Sequence, residues 1–337
     1  RHIHSWDDND VFRKVPKNMP QPEMLEKHLR MCIVDVPDPY GQYESYAMKH
    51  VKDLEESVKI IGINPEFLYQ SKKYRNCEYA NDINHALKNN EKIKEILNRY
   101  KSEDVDENWL PISIFCGKCK KDTIDVLKYT KDYHVYYECK CGHKEEIDFR
   151  KVGIVKLKWR IDWPMRWAYE KVNFEPGGRD HSSAGGSYDT GKDISREVWN
   201  HVPPTYILYE FIKIKGATKK ISSSSGNVIT LSDCLEVYEP EVIRYIFAGT
   251  RPEAEFEISF DTDVIKIYED YDKCERAYYG VEETSKPEKE KWNYIFSQVN
   301  ENIEKIPKEM ATQVGFRHIT TILQINELNE EKTLNFF

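Results

Sequence analysis

The sequence predicts an α/β protein with a small cysteine-bearing insertion and a helical C-terminal region. Three observations carry that reading. Residues 151–200 run from apolar, strand-like segments through a glycine-rich stretch into a helical pattern. That is the order of an α/β sheet, whose ligand sites lie at the carboxyl ends of its strands. Cys116, Cys119, Cys139 and Cys141 stand as two close pairs flanking a strand-rich stretch. From about residue 229 onward, helical patterns dominate to the end.

Size and composition agree. The 337 residues suffice for two or three domains. Charged residues make up 32% and hydrophobic ones 39%, which excludes a disordered chain. No apolar run approaches the roughly 20 residues of a membrane helix, and no secretory signal opens the chain, so no membrane partner is expected. The net charge of −8 argues against coating by nucleic acid while leaving room for a local basic surface; DNA is not an expected partner. Arg1 opens the chain in place of methionine, and TLNFF closes it inside a helical pattern. Both ends therefore read as interior to a longer protein.

Taken in order, RHIHSWDDNDVFRKVPKNMP reads as a strand end, an acidic loop and a proline-bounded turn. From PEMLEKHLRMCIVDV to NNEKIKEILNRY helical patterns dominate, broken by a turn at GINPEF. The cysteine segment covers 110–150. Its pairs fit a four-thiolate zinc ribbon, in which a tetrahedral ion closes a subdomain too poor in apolar residues for a core of its own. The second pair is spaced by one residue rather than two, and His143 is an alternative ligand. Reduced thiols without metal are the competing reading. Either implies a reducing compartment, and hence a cytoplasmic protein. Cys32, Cys77, Cys234 and Cys274 read as ordinary, partly buried cysteines.

PPTYILYEFIKIKG is strand-like and ends at Gly216; KKISSSSGNVITLSD follows it. Lys219 and Lys220 supply ammonium groups, Ser222 to Ser225 hydroxyls, and Gly226 open backbone, which together suit a polyphosphate. A plain surface loop is the alternative. Ser232 is the expected cap of a helix beginning at Asp233. Pro240 suits the first turn of the next helix and Gly249 its end. VEETSKPEKEKW reads as a charged linker.

The Lys-Ile-Ser-Ser-Ser-Ser-Gly-Asn run resembles the KMSKS loop of class I aminoacyl-tRNA synthetases. WRIDWPMRWAYEKVNFEPGGRDHSSAGGSYDTGK, Trp159 to Lys192, resembles the active-site signature of the class I lysyl-tRNA synthetases. EVYEPEVIRYIFAGTRP and DVIKIYEDYDKCERAYYG continue the likeness across essentially the whole chain. The resemblance implies a Rossmann-type parallel-sheet catalytic domain in two parts. The first, 1–109, carries a helical insertion; the second, 151–228, ends in the loop; the ribbon at 110–150 interrupts them. A helical stem-contact region at 229–280 and the start of a helical anticodon-binding domain at 281–337 would follow.

The implied reaction joins lysine to ATP, with Mg2+, and passes the lysyl group to tRNA(Lys). Such activation needs positioning and positive charge around the α-phosphorus as pyrophosphate leaves. By the same resemblance Lys220 is the catalytic lysine, and Ser222 and Ser224 belong to the closing loop with Gly226. Ser223 stands where the generic pattern has a second lysine, so more weight falls on Lys220, with Lys219 as helper. Asp180 takes the position that meets the ribose hydroxyls, and Gly177 and Gly178 let the backbone approach ATP. Phe12, Trp159, His181 and Tyr209 take the lysine pocket, where ring faces attract an ammonium and pack its methylenes. Taken singly, such aromatics are more often core, and an aspartate after glycines is as often a turn residue. The countercharge is left open among Asp8, Asp10 and Asp162, and WPMRW reads as mainly packing.

Two departures bear on the assignment. Where archaeal members place a second zinc, this chain has Asp38, Gln42, Tyr43 and Lys49, so no metal is expected there and the chain resembles a bacterial-type member. HIHS at His2 to Ser5 lacks the glycine of a HIGH motif. That motif is expected before Arg1, and the chain alone is expected to form no lysyl-adenylate. Two other functions compete: a non-catalytic RNA-binding paralogue, which erosion of Lys220, Asp180 or His181 would mark, and a same-class synthetase for glutamate or cysteine. A glutamate pocket would need an arginine anchor.

Overall fold

The structure is a computed structural model and describes residues 1–100, 103–216, 229–300 and 303–337. Lys219, Lys220, Ser222, Ser223, Ser224 and Gly226 of the serine loop therefore lie outside the described residues. The chain falls into two compact units. Of the described residues, Arg1–Lys52 and Pro65–Phe211 make the first; Asp53–Asn64 and those from Ile212 onward make the second.

The first unit opens on β1 (Ile3–Trp6). Helix α1 (Pro22–Lys27) carries Pro22 in its first turn, where no backbone donor is required. The rest of that predicted helix is not α-helical, keeping only a 3₁₀ turn at Ile33–Asp35. Cys32 instead bridges to Val11 and Met31 to Lys121, so tertiary pairing outweighs the local pattern. Helix α2 (Tyr46–Ile60), which passes into the second unit at Asp53, leads through the turn at Gly62 to β2 (Glu66–Tyr69) of the first, which lies parallel to β1 with Ile3 opposite Glu66. Four residues are too few to show a strand period, and the sequence reading passed over this strand.

Helices α3 (Gln70–Arg75), α4 (Ala80–Lys88) and α5 (Asn90–Asn98) follow. In α4 and α5, Ile83, Ala86, Leu87, Ile93, Ile96 and Leu97 recur at three- to four-residue spacing on buried faces. They pack into one core with Ile112, Ile114, Val155, Leu157, Ile161 and Met165. Strand β3 (Ile112–Ile114) leads into β4 (Ile124–Tyr129), β5 (His134–Cys139) and β6 (Lys144–Asp148), an antiparallel sheet in that order. Strand β7 (Val155–Leu157) then returns to pair antiparallel with β3.

Beyond β7 the chain enters α6 (Trp159–Glu170), whose middle, Ile161 to Trp167, is buried on every side. Lys171 ends it in a left-handed conformation (φ 56°), and the Val172 N–H closes on the Trp167 carbonyl at 2.9 Å. Strand β8 (Phe174–Gly178) connects through α7 (Ser187–Glu197) to β9 (Thr205–Tyr209). β8 and β9 are parallel, and α7 is the crossover such a pair requires. The glycines therefore sit at a strand's carboxyl end, as the sequence order implies.

The second unit holds β10 (Ile212–Ile214), parallel to β11 (Phe256–Ile258), and the helices α8 (Leu231–Leu235), α9 (Pro240–Ala248), α10 (Asp263–Tyr278), α11 (Pro287–Ser297), α12 (Phe316–Ile325) and α13 (Glu330–Leu334). Thr230, not Ser232, caps α8. Its hydroxyl accepts the Asp233 N–H at 3.2 Å while the Asp233 carboxylate accepts the Thr230 N–H at 2.7 Å, a reciprocal capping box. Ser232 turns instead to Asp53 at 2.9 Å. Pro240 and Gly249 bracket α9 as expected. Helix α11 begins inside the stretch read as linker, because Pro287 suits a first helical turn. Ile61, Cys234, Tyr238, Val242, Ile243 and Tyr268 form this unit's core. Among the described residues no helix is long and apolar enough to cross a membrane.

Candidate functional site

The carboxyl end of β8 carries Gly177 and Gly178, followed by a 3₁₀ turn over Arg179–His181. The Ser182 hydroxyl donates to the Gly178 carbonyl at 2.9 Å and fixes that turn. Asp180 is exposed on it. The His181 ring stands 5.9 Å from Trp159 and 5.4 Å from Trp163. One helical turn apart on α6, those two indoles stack at 5.3 Å and 14°. Tyr209 faces Gly178 in the β8–β9 register, its ring 3.5 Å from where a Gly178 Cβ would stand. A Cβ on Gly177 would lie 1.8 Å from the Tyr206 hydroxyl, so that position admits no side chain. Trp159, Asp180, His181, Gly178 and Tyr209 thus gather at one strand end.

Arg166 lies buried beneath them. It donates to the Ser5 hydroxyl at 2.9 Å, pairs with Asp7 at 2.9 Å and Asp162 at 3.2 Å, and stands 5.5 Å from the Trp159 ring centre. Asp162 also accepts the Tyr74 hydroxyl. Burial pushes the Asp162 carboxyl up, against the pull of Arg166. The three acids weighed as countercharge are thus engaged within the chain. Asp8 accepts the Ser71 N–H at 2.7 Å and its hydroxyl at 2.5 Å, and Asp10 pairs with Lys156 at 2.8 Å. Sequence reasoning missed Trp163, Arg166 and Glu175. Glu175 accepts the Trp163 indole N–H at 3.1 Å; burial pushes its carboxyl up, partly offset by that bond and by Arg166. Strand alternation puts residues 175 and 177 on one face, but nothing in the sequence says which helix covers it.

A second arrangement lies in the β4–β6 sheet. The sulfurs of Cys116, Cys119, Cys139 and Cys141 all fall within 4.8 Å of one another. Cys116 is 3.8 Å from Cys141, and Cys119 is 3.6 Å from Cys139. Those separations are too long for a disulfide and match the edge of a tetrahedron with bonds of about 2.3 Å. Burial pushes the Cys119 thiol up to about 12. Cys139, despite its own burial, is drawn down to about 6 by the Cys141 backbone, the Thr123 hydroxyl and the neighbouring thiols. His143 stands apart, bonded to Glu145 at 3.2 Å.

A family model described as tRNA synthetases class I (K) matches residues 1–302. The chain belongs to that family. Relatives named lysine–tRNA ligase are 52% identical over 336 residues in Borrelia garinii, 46% over 343 in Treponema pallidum and 42% over 340 in Pyrococcus horikoshii. The alignments cover 99–100% of this chain but 63–64% of each relative, so the chain spans just under two thirds of their length. Within the class I (K) family the fold is the α/β arrangement with parallel strands described above.

The class I (K) chain departs from the expected pocket at Phe12. Its ring is 4% exposed and packs with Leu25, Val36 and Tyr46, in a cluster that contains neither Trp159 nor Tyr209. Its backbone pairs with Arg30 and Met31, both at 2.8 Å, and so anchors the acidic loop after β1. Asp38 accepts the backbone N–H groups of Tyr40, Gln42 and Tyr43 at 2.8–3.1 Å. Its carboxyl is held low by them, against burial, while the Lys49 ammonium caps the Tyr40 ring at 3.4 Å.

Proposed function

We propose that this chain is the amino-acid-activating part of a lysine–tRNA ligase, which joins lysine to ATP, carried as its Mg2+ complex, and transfers the lysyl group to tRNA(Lys). The observation that supports this most is the Trp159–Trp163–His181 cluster beside Asp180 at the carboxyl end of a parallel strand. In a Rossmann-type arrangement that is where the nucleotide and its co-substrate belong. The names of the relatives agree.

An oxygen of the lysine carboxylate attacks the α-phosphorus of ATP. The bond to the bridging oxygen breaks, and pyrophosphate departs with its electrons. A terminal ribose hydroxyl of the tRNA then attacks the lysyl carbonyl, loses its proton and displaces AMP. This chain's part is positioning and electrostatics. Asp180 accepts the ATP ribose hydroxyls. Gly178 leaves the backbone open to the nucleotide, and Gly177 seats Tyr206 so that the strand end keeps its shape. Trp159, His181 and Tyr209 enclose the lysine side chain, its ammonium attracted by ring faces and its methylenes packed between them. Phe12 acts from the core by holding the loop that bears Asp7. Lys220, with Lys219 beside it, holds the leaving phosphates, and Ser222, Ser224 and Gly226 supply hydroxyl and backbone donors to the same groups.

Cys116, Cys119, Cys139 and Cys141 would hold one Zn2+, which supplies a tetrahedral crosslink to the β4–β6 ribbon. The helices over 229–280 and 281–337 serve the tRNA, and the reaction belongs in the cytoplasm. Lysine-dependent ATP–pyrophosphate exchange, followed by charging of tRNA(Lys), tests the reading on the protein expressed from its full reading frame. Exchange driven by lysine is the expected result. Exchange driven by glutamate or cysteine, or none with any amino acid, would refute it.

A further inference from the structure

Of the buried or partly buried acids beneath the aromatic cluster, one differs from the rest. Asp7 and Asp162 share Arg166, Asp8 is held by Ser71, and Asp10 pairs with Lys156. Glu175 makes no ion pair among the described residues. Its hydrogen-bond donor is the Trp163 indole, 3.1 Å away, a neutral group that fixes the carboxylate without cancelling its charge. Trp163 is itself the middle of the cluster, stacked on Trp159 and 5.4 Å from the His181 ring. Tyr209 also lies within the field of Glu175.

A partly buried carboxylate with only neutral donors is costly for the fold, and such groups persist where a ligand completes them. Burial raises the Glu175 carboxyl, and the nearby Arg166, which pairs with Asp7 and Asp162, offsets that only in part. An incoming primary ammonium would relieve that penalty through a charge-assisted hydrogen bond while the indole faces pack its alkyl stem. A carboxylate ligand would meet repulsion in the same place.

We propose that Glu175 is the residue that selects a primary ammonium at the end of the substrate's side chain, its carboxylate held by Trp163 against the Trp159–His181 cluster. The inference rests on the lysine reading above and adds to it the residue that chooses the charge.

Glu175→Gln keeps the volume and an acceptor for the Trp163 N–H while removing the charge. In exchange kinetics on the full-length protein, the lysine KM is expected to rise by at least about tenfold, as when a buried ligand-pairing group is lost. The ATP KM should stay within about twofold, and the preference for lysine over norleucine in competition should fall with the lysine KM. A folded E175Q protein that keeps both the lysine KM and that preference overturns the proposal. So does Asp7→Asn causing this loss while E175Q does not, since the selecting anion would then be Asp7. Should E175Q fail to fold, tryptophan fluorescence on the wild type decides: lysine must bind at least about tenfold more tightly than norleucine, and equal binding overturns the proposal. If the wild type shows no lysine-dependent exchange, the enzymatic reading fails on its own. Titration with cadaverine then still judges Glu175, because E175Q must weaken that diamine's binding and unchanged binding refutes the role.

Discussion

The cysteine cluster and the aromatic site belong to the same compact unit and are built in opposite ways. The four sulfurs come from a window in which the outermost pair is 25 residues apart, and two hairpins suffice to bring them together. The aromatic site is tied down by Arg166, which reaches Ser5 across 161 residues, and by Asp162, which meets Tyr74 across 88. Short loops close at little entropic cost, so a site of the first kind is specified by spacing alone. A site of the second kind exists only once the surrounding fold has formed. The first should fail locally when damaged; the second should take the unit's stability with it.

The largest expected effect tests the local half. On the proposed zinc reading, Cys139→Ala should drop bound zinc from one per chain to near zero and open the β4–β6 sheet to proteolysis, since a structural zinc site contributes on the order of 10 kcal/mol to what it folds. Metal analysis and limited digestion read this out. Lysine affinity should be unchanged, and its loss would break the comparison.

Arg166→Ala tests the other half. It strands the buried Asp162 carboxylate and removes the link to Ser5 and Asp7, so urea unfolding should show a loss of about 3–5 kcal/mol. A loss below about 1 kcal/mol would mean that the network is not what secures the site.

Gly177→Ala is expected to cost less. Its Cβ would meet the Tyr206 hydroxyl at 1.8 Å. Tyr206 cannot swing away freely, because it stacks on Tyr188 at 3.7 Å and bonds to Ser182 at 2.6 Å. Overpacking of about 1–3 kcal/mol should follow, measurable as a lowered unfolding midpoint.

The smallest effect is a pH limb. Arg99, first, and Lys92 hold the Glu197 carboxyl down to about 2. Its contribution is therefore present above the unfolded value of about 4.3 and fades as pH falls toward 2. Solvent screening limits it to about 1 kcal/mol or less. Glu197→Gln should flatten the acid limb of the stability curve by that amount, and an unchanged limb would remove the pair from the account.

The same contrast explains what was legible in the sequence. The α/β order around β8, the cysteine pairs, Pro240 and Gly249 were readable because each depends on near neighbours. Trp159, Asp180 and His181 lie within one continuous signature, and Tyr209 joins them only through the β8–β9 pairing. Strand β2 was missed because four residues show no period until β1 lies beside them. Ser232 was mistaken for the cap because Thr230 two residues earlier offers the same chemistry, with Asp233 positioned to reciprocate. Phe12, assigned to the pocket by resemblance, lies in the core, and Trp163, read as packing, meets both His181 and Glu175. Glu175 and Arg166 gain meaning only from partners that the folded chain supplies.

The central claim is that the aromatic cluster on α6 recognises the amino-acid side chain and not the nucleotide. Replacing Trp159 by alanine and measuring both Michaelis constants in ATP–pyrophosphate exchange tests it most directly, with a thermal melt to confirm folding. Loss of one ring face toward an ammonium should raise the lysine KM by about tenfold, a cation–π contact being worth about 1–2 kcal/mol when desolvated, and leave the ATP KM within about twofold. An equal rise in both constants, or a rise in the ATP constant alone, would contradict the assignment.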